Sequence, residues 1–89
     1  MALPEDMNNK IEDTVKIRVE QSRRVFNLTK RIQSDLNYKS DEMEQLLVHV
    51  QGDIKPTYKY AYAKGQGTSL VVNDVTLSGV IDFIADKTT

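Results

Sequence analysis

Between Ile11 and Leu36 the chain runs for 26 residues with neither proline nor glycine, and its apolar residues recur at helical spacing. On a wheel of about 100° per residue, Ile11, Val15, Val19, Val25, Phe26, Ile32 and Leu36 share one stripe with Met7, Ser22 and Thr29. That is the width of a core-facing amphipathic helix. A second, thinner apolar line, Ile17 and Leu28 with Gln21 and Arg24 between them, lies off the edge of the stripe.

Length makes this helix awkward. At 1.5 Å per residue it would extend roughly 40 Å, whereas a compact domain of this size is only about 30 Å across. Either the helix breaks near Glu20 to Arg24, where polar residues interrupt the stripe, or a second copy of the chain covers the overhang. The second solution is the expectation here, and it makes the protein a homodimer.

The remaining pattern places three further elements. Ser40, followed by Asp41 and Glu42, reads as an N-cap with an acidic first turn, and Met43, Leu46, Leu47 and Val50 then follow at i, i+3, i+4 and i+7. Gly52 and Pro56 are its natural stops. Pro4 suits the first turn of the leading helix. From Tyr58 the period changes to two: Tyr58, Tyr60 and Tyr62 share one side of a strand, Lys64-Gly65-Gln66-Gly67 makes a hairpin loop, and Thr68 to Val72 returns. Thr76 then caps a last helix to about Lys87, with Leu77, Val80, Ile81 and Ile84 on its apolar face and Phe83 off it. The predicted fold is a single α+β domain, residues 1–89, in the order ααββα. Because an isolated two-stranded hairpin is marginal in water, the hairpin is a second argument for self-association.

Composition narrows the chemistry. With no cysteine, disulfides, thiolate metal sites and cysteine nucleophiles are excluded, and a reducing compartment is compatible. The acidic start lacks a hydrophobic leader, and no apolar run approaches the roughly 20 residues that span a bilayer; the expected location is cytoplasmic. His49 is the sole histidine, so paired-histidine metal sites and relays are ruled out within one chain. Asp41, Glu42 and Glu44 are explained by the helix macrodipole, and the glycines at 65 and 67 lack the spacing of a phosphate loop. No catalytic or metal set, and no cofactor site, can be assembled.

Charge, by contrast, is segregated. Residues 14–39 carry a net +5 and residues 40–53 a net −4, in a chain whose total is −1. The simplest use of this is internal, the acidic second helix lying beside the basic first. The expected function is therefore a non-enzymatic interaction protein of the phage or bacterial inhibitor type. It would bind a protein partner sterically, through the long helix and hairpin, with Ile17, Gln21, Arg24, Leu28 and Phe83 as the interface. The alternative is a nucleic-acid accessory protein using Arg23, Arg24, Arg31, Lys59 and Lys64 for phosphates and Tyr58, Tyr60 and Tyr62 for stacking.

Overall fold

The computed structural model describes residues 5–55 and 58–88. Pro4 and Pro56, both given roles above, lie outside them. Among the described residues there are four helices: α1 (Glu5–Gln21), α2 (Ser40–Ile54), α3 (Gln66–Val72) and α4 (Leu77–Lys87). α2 packs on α1 and α3, and α4 packs on α1. Among the described residues the only β pairings are isolated bridges, Arg31 with Thr76 and Tyr60 with Thr88. The fold is all-α, and the predicted α+β order with a hairpin is wrong.

The long helix breaks. α1 buries Met7, Ile11, Val15 and Val19 as its periodicity requires, but it ends at Gln21 through a double closure. The Arg24 amide donates to the Val19 carbonyl at 3.2 Å and the Arg23 amide to the Glu20 carbonyl at 3.0 Å. This is the Schellman arrangement, which needs a left-handed residue one position past the cap. Glycine normally supplies it; here Arg23 does, at φ 66°. A 17-residue helix is about 25 Å long, which fits the longest dimension of the molecule, 31 Å. No overhang is left to cover, so the first argument for a dimer lapses.

The second lapses with the hairpin. Residues 66–72 are helical because their N-terminus is capped from a distance. Glu44, on α2, presents Oε1 to the amides of Gly65, Gly67 and Thr68 at 2.9, 3.0 and 3.2 Å. That carboxylate satisfies amides that a short helix otherwise leaves orphaned and complements its positive end. Leu70 and Val71 then go into the core. Gly65 turns the chain at φ 100°, and Gly67 allows α3 to touch α2, since a Cβ there would lie 2.6 Å from the Glu44 backbone nitrogen. The tyrosines ahead of α3 do not share one face of a strand: Tyr60 is buried, while Tyr58 and Tyr62 are partly buried against the core.

α4 agrees with the sequence, and α2 does so in its apolar face, but the N-cap of α2 is Lys39 rather than Ser40 and Gly52 does not stop it. α2 buries Met43, Leu46, Leu47 and Val50 and continues through Gly52 to bury Ile54. Its entry is closed by Glu42, whose Oε1 accepts the Lys39 amide at 3.0 Å. α4 starts at the predicted cap, where the Thr76 hydroxyl accepts the Gly79 amide at 3.1 Å, and buries Leu77, Val80 and Ile84. Both described ion pairs join the basic block to the acidic one. Arg18 grips Asp53 through Nε and Nη2, each at 2.9 Å, and Arg24 meets Glu42 at 2.9 Å. No helix is long and apolar enough to cross a membrane among the described residues.

Candidate functional site: the connection between α1 and α2

Eighteen residues, 22–39, connect α1 to α2 without a helix of their own. Connections this long in compact domains are uncommon and are usually functional or disordered. This one is held at many points. Ile32 is fully buried and Leu36 and Tyr38 nearly so, which plants the segment in the core. Above that anchor, the first-turn amides of α4 are satisfied by the connection: Leu77 donates to the Lys30 carbonyl at 2.9 Å and Ser78 to the Leu28 carbonyl at 3.1 Å. The Ile32 amide in turn donates to the Val75 carbonyl at 2.8 Å.

Two side chains complete the fastening. Asp74 Oδ1 accepts the amides of Gln33 and Ser34 at 2.9 and 3.0 Å, and its own carbonyl accepts Arg31 Nη1 at 2.9 Å. The Ser34 amide, then that of Gln33 and the charge of Arg31, hold the Asp74 carboxyl below the usual carboxylate range. At the other end Arg24 donates through Nε to the Leu36 carbonyl at 2.7 Å and through Nη2 to Asn37 O and Glu42 Oε2 at 3.1 and 2.9 Å. Its guanidinium lies 3.8 Å over the Tyr38 ring. The hydrogen bond from Arg24, then the Lys39 amide, lowers the Glu42 pKa.

Among the described residues, the non-glycine positions with left-handed backbone angles are Arg23, Asn37 and Asp74, at φ 66°, 59° and 48°. Two lie inside the connection and the third fastens it. Such conformations are unfavourable by about 1 kcal/mol or more for an arginine and less for Asn or Asp, so surrounding contacts must impose them.

Outward, the connection presents two apolar side chains and several basic ones among exposed polar residues such as Asn27, Thr29, Gln33 and Asp35. Val25 is 71% exposed and Leu28 38%. Arg23 and Lys30 are exposed, and no hydrogen bond or ion pair uses either side chain among the described residues. The placement of Val25 in the core stripe was wrong, because the helix that would have carried it inward stops four residues earlier. Sequence periodicity could not show this; the interruption at Glu20 to Arg24 was the available signal.

The remaining predicted site residues are scattered. Ile17 is 54% exposed on α1, one turn before exposed Gln21, and the line it was to form with Leu28 does not exist, since Leu28 lies beyond the end of the helix. Gln21 and Arg24 line a cleft of about 370 Å³ between α1 and α2, together with Arg18, Tyr38, Glu42 and His49. Arg24 is committed to internal bonds rather than to an interface. Phe83, expected to face outward, is partly buried against the core, with the Lys87 ammonium 5.5 Å from its ring centre.

The nucleic-acid set is no more coherent. Arg24 and Arg31 hold the fold, Lys59 and Lys64 are exposed on the segment before α3, and Tyr60 is 93% removed from solvent at 7% exposure. Burial, with the nearby Glu44 charge, pushes the Tyr60 hydroxyl up to about 12. A ring so placed offers no face for a base to stack on. Neither do the described residues contain a group of three or more His, Cys, Asp or Glu side chains arranged to hold a metal ion. Compared with family models, with curated proteins and with solved structures, the chain matches none of them.

Proposed function

We propose that this protein is a non-enzymatic interaction module that docks a partner protein on the outer surface of residues 22–39. The observation that carries this reading is the combination, in one long irregular segment, of an imposed backbone and an uncommitted outer surface. Val25 and Leu28 face solvent, while Arg23 and Lys30 find no partner within the described chain. A segment fixed before binding loses little entropy when it docks. Isolated exposed apolar residues are ordinary; two of them on a fastened, basic connection are better explained by a partner. Action would be steric, the helical body occupying a site on the protein it binds.

The test is affinity capture from a nuclease-treated cell extract, comparing the wild type with a Val25→Asp, Leu28→Asp variant. Val25 is largely exposed and Leu28 partly so, so the variant should remain folded with a stability loss of no more than about 2 kcal/mol, checked by thermal unfolding. The expected result is a protein retained by the wild type and lost by the variant. Identical retention by both, or retention only without nuclease, would overturn the reading.

A further inference from the structure

We infer that the partner offers an acidic, leucine-like segment to the groove between Arg23 and Lys30. The inference rests on the docking reading above and names the chemistry that the surface accepts. The groove encloses about 410 Å³ and is lined by Arg23, Val25, Lys30, Asp35, Leu36 and their neighbours. Within residues 22–39 five basic side chains, Arg23, Arg24, Lys30, Arg31 and Lys39, stand against one acid, Asp35.

The acids near the segment are already engaged. Asp35 Oδ2 accepts the Arg31 amide at 2.8 Å, Glu42 is taken by Arg24, and Asp74 by the amides of Gln33 and Ser34. Arg24 is turned inward on Leu36, Asn37 and Glu42. That leaves Arg23 and Lys30 as cations of the groove that form no ion pair within the described chain, with Asp35 as the single acid of its lining and Val25 as the exposed apolar surface. Carboxylates on an incoming chain complement the two cations, and an aliphatic side chain covers Val25.

A single-stranded nucleic acid would meet the same charges but draws much of its affinity from ring faces on which its bases stack. Of the two rings in the connection, Tyr38 is 4% exposed and covered by the Arg24 guanidinium, and Phe26 is partly buried against the core. The charge pattern and the missing aromatic platform together favour a polypeptide.

The experiment measures binding of the full chain, by fluorescence anisotropy, to a labelled short peptide alternating glutamate with leucine. The glutamine–leucine peptide of equal length and a single-stranded oligonucleotide serve as comparators. The glutamate peptide should bind at low salt, weaken as salt rises through the Debye range, and lose about tenfold or more in affinity for an Arg23→Glu, Lys30→Glu variant of unchanged thermal stability.

The inference is overturned by the absence of binding at low salt, by equal binding of the glutamine peptide, or by an unaffected charge-reversal variant. Tighter binding of the oligonucleotide would also overturn it, as would a dimer in sedimentation that the charge reversal dissociates, since the occupant would then be a second copy. Capture of a protein that Val25→Asp abolishes but charge reversal and salt leave unchanged would leave the docking reading standing and remove the acidic partner alone.

Discussion

Replacing Gly67 with alanine sets local preference against tertiary contact. By helix propensity alone, alanine is more favourable than glycine by about 1 kcal/mol. The structure reverses the sign. A Cβ at this position would lie 2.6 Å from the Glu44 nitrogen, 2.9 Å from the Met43 carbonyl carbon and 3.0 Å from the Glu44 Cα. All three are backbone atoms inside α2 and cannot rotate away, so α3 must retreat. Retreat stretches the bonds from Gly65, Gly67 and Thr68 to Glu44 Oε1 and loosens Leu70 and Val71.

Overpacking of this kind costs about 1–3 kcal/mol, and weakening a helix cap adds about 1 kcal/mol. After the propensity gain the net loss is about 1–3 kcal/mol. That is a large part of the stability of a domain held by about 0.05–0.15 kcal/mol per residue, and it corresponds to a fall in Tm of roughly 5–20 °C. Heat and urea denaturation followed by far-UV circular dichroism measure it. Combining Gly67→Ala with Glu44→Ala should cost less than the sum of the two, because both act on one contact. A Gly67→Ala protein as stable as the wild type, or more so, would refute the account of how α3 is held.

Two further outcomes follow from the same contacts. Arg24→Ala removes three hydrogen bonds and the stack on Tyr38 and should lower stability by about 2–3 kcal/mol, with Arg24→Lys recovering only part because an ammonium cannot reproduce the planar fork; a urea midpoint shift equivalent to less than about 0.5 kcal/mol would contradict it. Stability should also fall in acid. Glu42, Asp53 and Asp74 have pKa values lowered by Arg24, by Arg18 and by the Ser34 amide, from ordinary values of 4.5 for the glutamate and 3.8 for the aspartates. A depressed folded pKa means that the unfolded chain takes up protons first, so this stability is complete above the ordinary values and is lost as pH drops below them. The urea midpoint should decline between about pH 5 and about pH 2, less steeply in Asp74→Asn, which keeps an oxygen for both amides; a midpoint flat across that range is the contrary result.

Much of the fold was legible. α2 and α4 were readable because each carries apolar residues at i, i+3, i+4 and i+7, joined by an acidic first turn in α2 and by the Thr76 cap in α4, although the cap of α2 fell on Lys39 and not on Ser40. The first half of α1 was readable for the same reason, and the opposed charge blocks do meet, as Arg18 with Asp53 and Arg24 with Glu42. The site was legible only in part. Leu28 and the basic residues of 22–39 stood out, whereas Val25 was assigned to the core and is exposed, and Arg24, read as an interface residue, is partly buried and spends its guanidinium on internal bonds.

Both failures have one physical origin. Local sequence by itself determined where a helix could form, through periodicity and short-range capping. Only the tertiary structure decided where a helix must stop or start against local preference. Arg23 adopts a left-handed conformation no local rule assigns to arginine, because burial of Ile32, Leu36 and Tyr38 and the anchoring by Arg24 and Asp74 outweigh a cost of about 1 kcal/mol. Residues 66–72 leave the strand pattern for a helix because Glu44, more than twenty residues earlier, caps them and Gly67 lets them approach. A cap delivered across the fold leaves no mark in the spacing of the residues it caps.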